Sequence, residues 1–133
     1  MGKQTSDFVD LILGALPSER IGRALDLELD EGQVELSRIA QRHVSVDHPE
    51  DYAICLPHIA AIIANPLYVG DDFKNPGRLE VVGRIIAVGG PVLIGLTCNK
   101  DKDGFYRVVT FYRISEKKVE NRRANSRLVI VPF

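Results

Sequence analysis

The sequence predicts an α+β fold in which N-terminal helices and a short hairpin pack with an antiparallel sheet of about four strands. Three observations point to it. Apolar residues recur at helical spacing in segments bounded by Ser, Asn and Pro over the first half of the chain. From Leu79 the texture changes to short runs of Val, Ile, Leu, Tyr and Phe separated by turn residues. The 133 residues, 45% of them hydrophobic, suffice for one core and give little room for two. A single domain over 1–133 is therefore expected, with 1–22 as a helical extension and 23–133 as the core.

In order along the chain, Ser6 can cap a helix in which Phe8, Ile12 and Ala15 or Leu16 recur at helical spacing and which Pro17 stops. Gly2 and Ser6 also match the minimal myristoylation pattern, which is short enough to recur by chance. Leu25, Leu27 and Leu29 alternate with Asp26, Glu28 and Asp30, the period of a strand with one wet face. A turn at Asp30-Glu31-Gly32-Gln33 would return the chain through Val34-Glu35-Leu36 as a hairpin. Ser37 is a natural N-cap for a helix whose stripe is Ile39, Ala40, His43 and Val44. Asp47 and Glu50 have capping-box spacing, and Pro49 suits a first helical turn, so a new segment begins near His48. Pro57 marks a further helix start, and Asn65-Pro66 ends that helix.

The sheet is expected from Leu79 to Val88, Val92 to Cys98 and Phe105 to Ile114, joined by connections short enough for hairpins. Ser115 caps a charged helix to about Ala124, and Leu128 to Val131 can add a last strand. No apolar run approaches the roughly 20 residues of a membrane span, and no signal-peptide pattern is present, so a cytoplasmic location is expected. Cys55 and Cys98 lack a CxxC spacing and read as two reduced, partly buried thiols.

The near-neutral net charge of −1 hides a division. Residues 1–72 carry 5 Lys/Arg against 13 Asp/Glu, whereas residues 73–133 carry 12 against 5. A basic half can hold a polyanion even when the total is close to zero. All three histidines, His43, His48 and His58, lie in the acidic half, so a site joining imidazoles to cations must form where the halves meet.

Three constellations could carry chemistry. His43 and His48 flank a helix boundary, and imidazole moves protons near neutral pH because its unperturbed pKa is about 6.5. The plainer reading makes His43 a hydrogen-bonded core residue, His48 a turn former and His58 a capping residue. On the third strand, strict alternation puts Tyr106, Val108, Thr110 and Tyr112 on one face, so the hydroxyls of Thr110 and Tyr112 can meet a phosphate or a base. An ordinary solvated strand face would look the same. The basic set Arg113, Lys117, Lys118, Arg122, Arg123 and Arg127, together with Arg42 and Arg84, can flank a phosphate backbone, although a charge run on a short helix is usually a solvated face. His43, Asp47 and His48 lack a standard metal-ligand spacing. Asp101-Lys102-Asp103-Gly104 lacks the acidic position a calcium loop needs. With no P-loop, GxGxxG or nucleophile elbow, no cofactor and no metal are expected.

Several pieces occur in a telling order: Ser37 to His43, His48-Pro49-Glu50-Asp51-Tyr52, Leu56-Pro57-His58-Ile59, Ile63-Ala64-Asn65-Pro66, Tyr68-Val69-Gly70, the strands around Glu80 to Ile86 and Val92 to Leu96, Tyr106 to Tyr112, and Ile114-Ser115 leading into Glu120 to Arg123. Over roughly residues 25–130 this order resembles the phage-associated Barnase-EndoU-colicin-RelE-like (BECR) nuclease families. Two positions depart from the pattern: Leu67 stands where an Asp is expected after Asn-Pro, and Gly95 breaks an aliphatic run.

The resemblance implies helices preceding an antiparallel sheet whose face forms a ribonuclease-like site, with His43, His48, Thr110 and Tyr112 as its catalytic residues and RNA as its partner. A toxin or phage-associated effector of this kind would also have a cognate immunity or antitoxin protein. The alternative is a binding module on the same scaffold that docks on a host protein without turnover.

Overall fold

In the computed structural model, which describes residues 8–72 and 75–132, the first element is a strand, β1 (Leu11–Ala15). The helix expected there does not form. Gly14 sits at φ +114, a conformation closed to a helix interior, and β1 instead pairs antiparallel with β2 (Gln33–Leu36). Ser6, the expected cap, and Gly2 lie outside the described residues.

The strand expected over Leu25, Leu27 and Leu29 is also absent. Residues Ser18–Leu25 form helix α1, which ends at Asp26 in the left-handed region (φ 56, ψ 47). The Leu27 N–H then closes on the Gly22 carbonyl at 2.9 Å, an approach so close that a Cβ on residue 22 would meet the Leu27 oxygen at 2.5 Å. This turn takes the chain out of extended geometry, and the leucine alternation continues into irregular backbone. Residues 11–25 are therefore part of the sheet and core, with Leu16 and Ile21 buried among the central apolar residues, and not a helical extension.

Beyond Leu36 the expected elements form. Ser37 caps α2 (Arg38–Asp47), its hydroxyl accepting from the Ala40 N–H at 3.1 Å. Pro49 opens α3 (Pro49–Cys55), without the side-chain capping box its spacing suggested. A 3₁₀ turn (Leu56–His58) leads into α4 (Ile59–Ala64), which ends at Asn65. One strand missing from the sequence reading, β3 (Tyr68–Asp71), precedes β4 (Arg78–Ile85), β5 (Gly90–Thr97) and β6 (Phe105–Arg113). Helix α5 (Glu116–Ala124), capped by Ser115, and β7 (Val129–Ile130) complete the chain.

The sheet has seven strands, not about four, in the order β1-β2-β6-β5-β4-β3-β7. All neighbours are antiparallel except β2 and β6, which run parallel. The first four helices supply one layer: α2 and α3 pack on β6, α4 on β4 and β1, and α1 against β3 and β7. Because α1 follows β1 yet packs on the far edge, the sheet curls towards itself. Arg20 on α1 fastens that edge, donating from Nε to the Pro132 carbonyl (2.8 Å) and from Nη2 to Asn65 Oδ1 (3.0 Å). Among the described residues the opposite face carries α5 alone of the helices, over a smaller core of Tyr68, Val82, Leu93, Ile114, Val119 and Leu128. Among the described residues no helix is long and apolar enough to cross a membrane.

Two close approaches fix the layers. A Cβ at Gly83 would meet Ile62 of α4 at 2.9 Å, and one at Gly70 would lie 1.9 Å from the Arg127 carbonyl oxygen. The second is the more severe because backbone has no rotamer to retreat into. Gly70→Ala should cost about 1–3 kcal/mol or more, read as a fall of several degrees in the thermal midpoint. Cys55 and Cys98 are both free. Burial, reinforced by Asp51, pushes the Cys55 thiol up from about 9 to about 11. The native state thus holds a proton that the unfolded chain releases, so the stabilisation is complete below pH 9 and disappears as the pH rises towards 11. Thermal midpoints measured across this range should fall, and Cys55→Ala should flatten the decline.

Candidate functional site

The face that carries α5 is only half covered, and the uncovered half is a cleft. Its position depends on a bulge. Gly95 of β5 pairs with Thr110, but the next residue, Leu96, pairs with Val108, so Val109 is an extra residue in β6. The strict alternation expected for this strand is thereby broken. Tyr106, Val108 and Phe111 belong to the core beneath the helices, while Thr110 and Tyr112 turn to the opposite face. Gly95 sits closely against it: a Cβ there would approach Thr110 Cγ2 to 3.2 Å, a tight contact.

Two adjoining chambers result. The first, about 250 Å³, is lined by Asp72 and Asn75, by Arg78 and Glu80 of β4, by Leu93 and Gly95 of β5, by Val109, Thr110 and Tyr112 of β6, and by Arg122 and Arg127. The second, about 450 Å³, is lined by Ala40, His43, Val44 and Asp47 of α2 and again by Arg78, Val109 and Thr110. The acidic half of the sequence supplies the α2 wall and the basic half supplies the arginines.

His43 reaches the cleft because α2 is rotated from its expected stripe. Gln41 and Val44 are its buried residues, and Ile39 and His43 are exposed. Gln41 is suited to burial because its amide is satisfied: Nε2 donates to the carbonyls of Val9 and Leu36, and Oε1 accepts from the Tyr52 hydroxyl. His43 is thus no core residue. His48, half-buried at the α2–α3 junction, lies with its ring centroid 5.1 Å from that of Tyr112 at a tilt of 34°. Among the described residues the two imidazoles share no hydrogen bond and no ring contact. His58 lies in the 3₁₀ turn and lines neither chamber.

Electrostatics in the first chamber centre on Glu80. This nearly buried carboxylate pairs with Arg122, Nη1 to Oε1 at 2.6 Å. The pKa of the neighbouring Tyr112 phenol is raised by burial first and by Glu80 second, with Arg122 acting in the opposite direction. The phenol therefore keeps its proton at neutral pH and can act as a donor.

Most of the expected cations lie elsewhere. Arg84 is bound to Glu116 (2.8 Å) and to the Tyr68 hydroxyl, and the Glu116 pair depresses that carboxylate's pKa. Arg123 stacks over the Tyr68 ring at 4.8 Å. Arg113 pairs with Glu50 (2.7 Å) and Asp51 (2.5 Å) beneath α3. Arg42 and Lys118 are exposed and line neither chamber. The structure therefore places Thr110, Tyr112 and Arg122 in the first chamber and His43, again with Thr110, in the second; His48 rests against Tyr112 but lines neither, and Arg42, Arg84, Arg113, Lys118 and Arg123 lie outside both.

Asp72, Asn75, Arg78 and Glu80, which line the first chamber, were missed by sequence reasoning. Arg78 and Glu80 share strand parity with Arg84, so extending the β4 alternation backwards past Leu79 would have found them. Arg127, part of the basic C-terminal run, lines the same chamber from a short connection. No three or more His, Cys, Asp or Glu side chains among the described residues converge as a metal cluster, and His43, Asp47 and His48 accordingly do not form one. Asp101 instead organises its hairpin, accepting from the N–H groups of Asp103 (2.9 Å) and Phe105 (3.0 Å) and pairing with Arg107.

Compared with protein-family models, with curated proteins and with solved structures, the chain matches none of them.

Replacing Arg122 with Met strips a cation from the nearly buried Glu80 and should destabilise the fold by about 1–3 kcal/mol. Arg113→Met, which breaks pairs at the surface, should leave the denaturant midpoint near that of the unaltered chain. Paired urea titrations separate the two.

Proposed function

We propose that this chain is a metal-independent ribonuclease of the BECR type, acting as a toxin or phage-associated effector. The observation that carries the reading is the convergence of an exposed imidazole, His43, with Thr110, Tyr112 and Arg122 in one cleft on the sheet face. The likeness of motif order over residues 25–130 to the BECR nucleases adds to it. Cleavage of RNA by its own 2′-hydroxyl requires two proton transfers and stabilisation of added negative charge. One histidine takes the 2′-hydroxyl proton as that oxygen attacks the adjacent phosphorus. The P–O5′ bond breaks, and the other histidine supplies a proton to the departing 5′-oxygen. Thr110 and the protonated Tyr112 phenol donate to the phosphate, and Arg122 stabilises the charge that develops there.

A second reading is favoured by a different surface. Glu19, Asp26, Glu28, Asp30 and Glu31, with Arg23 as the one cation among the lining residues, surround a depression between α1 and β2, and an acidic face can imitate nucleic acid towards a basic protein partner. On that reading the scaffold is a binding module without turnover.

RNA incubated with the protein should yield 2′,3′-cyclic phosphate ends, survive as a reaction in the presence of a chelator, and follow a bell-shaped pH profile. His43→Ala or His48→Ala should lower the rate by about a hundredfold with the circular dichroism spectrum retained. If the unaltered chain cuts no RNA, the ribonuclease reading fails and the binding module stands.

A further inference from the structure

The wall common to the two chambers consists of Arg78, Val109 and Thr110. Arg78 is well placed in the backbone. It pairs with Thr97 across the sheet, its carbonyl accepts from the Asp72 N–H at 3.2 Å, and Gly77 before it accepts from the Cys98 N–H at 2.9 Å. Its side chain differs from those of the other sheet arginines. Arg84, Arg107 and Arg113 are each held by carboxylates, whereas the half-buried Arg78 guanidinium makes no hydrogen bond or ion pair among the described residues. Arg127, at the rim of the same chamber, makes none either. Of the carboxylates that line the cleft, Glu80 is engaged by Arg122 and Asp72 by Asn75 at 3.0 Å, and Asp47 stands on the α2 wall of the second chamber. A planar fork of five N–H donors, partly withdrawn from water and left open at the junction of two cavities, suits an anion with several acceptor oxygens. The Thr110 hydroxyl stands on the same wall.

We infer that Arg78 anchors a single phosphodiester at this junction, and that the groove takes one nucleoside on each side of it, a single-stranded dinucleotide step. One nucleoside occupies the chamber of His43 and Asp47, and the other occupies that of Tyr112 and Asn75. Chambers of about 250 and 450 Å³ suit small polar ligands better than a rigid duplex. Each chamber offers groups that can hydrogen-bond a base or sugar edge: the Asp47 carboxylate in one, the Asn75 amide in the other. The inference rests on the polyanion-binding part of the ribonuclease reading and not on turnover, so it holds equally if the groove binds without cutting.

The test uses the intact protein and a dinucleoside monophosphate whose first sugar lacks the 2′-hydroxyl, which cannot be cleaved by internal attack. Titration calorimetry should show it binding about tenfold more tightly than either inorganic phosphate or a nucleoside 5′-monophosphate. Arg78→Gln should weaken it about tenfold, Arg78→Lys should recover part of the loss, and Lys102→Gln, in the distant β5–β6 hairpin, should bind as the unaltered protein does. If Arg78→Gln does not fold, Thr110→Val serves in its place with a loss of several-fold. Equal affinity for phosphate and dinucleotide, no dinucleotide binding at millimolar concentration, or a folded Arg78→Gln that binds normally would each overturn the proposal. Dinucleotide binding in a chain that cuts no RNA would support it while removing the ribonuclease reading.

Discussion

Opposite Gly95, β6 carries one residue more than its partner strand, and the register of the sheet on either side of that point differs by one. A shift of one residue exchanges the two faces of a strand. Before the bulge, Tyr106 and Val108 point into the core beneath the helices; after it, Phe111 does so, which frees Thr110 and Tyr112 for the other face. Were the same residues paired with no bulge, uninterrupted alternation from Val108 would carry Thr110 and Tyr112 into the helix-side core and expel Phe111. The cleft thus depends on a single irregularity. At that point β5 carries a residue without a side chain, and Thr110 Cγ2 packs within 3.2 Å of where its Cβ would lie. In sequence, Gly95 is a break in an aliphatic run; in the sheet it stands opposite Thr110, at the point where β6 changes register.

The charge division becomes intelligible at the same place. In the basic half most arginines are consumed by structure: Arg84 ties β4 to α5 through Glu116, Arg107 joins β6 to β2 and the hairpin, and Arg113 reaches α3. Such pairs do more to fix the placement of elements than to add stability, because partly exposed ion pairs contribute little. What remains for binding is the set these pairs leave over. A count of basic residues therefore overstates the polyanion site, and proximity of basic residues in sequence misplaces it: Lys118 and Arg122 are four apart on α5, yet only Arg122 turns into the cleft.

Much of the second half of the fold was legible because its signals are local. Ser37 and Ser115 are N-caps with the expected hydroxyl-to-amide bonds at 3.1 Å, and the hairpins follow runs of β-favouring residues bounded by Gly, Pro, Asn and Asp. The first half failed where the deciding contacts are remote. Nothing near Leu11 announces that the chain will pair with Leu36, and the leucine alternation from Leu25 yields to a turn set by Gly22. For the site, residue types were readable and placement was not. His43 was expected on the apolar face of α2. The burial of Gln41, whose amide finds partners at Val9, Leu36 and Tyr52, rotates the helix and brings His43 out.

That rotation connects the misread N-terminus to the cleft. Gln41 is buried because carbonyls at Val9 and Leu36 await its amide, and Val9 is placed there because the following strand pairs with β2. A buried amide lacking these partners would cost free energy on the scale of the hydrogen bonds it lost, and the helix would have reason to turn Ile39 inward instead. The first strand, outwardly remote from any chemistry, therefore sets the angle at which α2 presents His43 and Asp47 to the sheet. The bulge orients Thr110 and Tyr112 from the floor, and the Gln41 bonds orient His43 from the wall. The cleft exists where these two independent adjustments meet, across the seam between an acidic and a basic half.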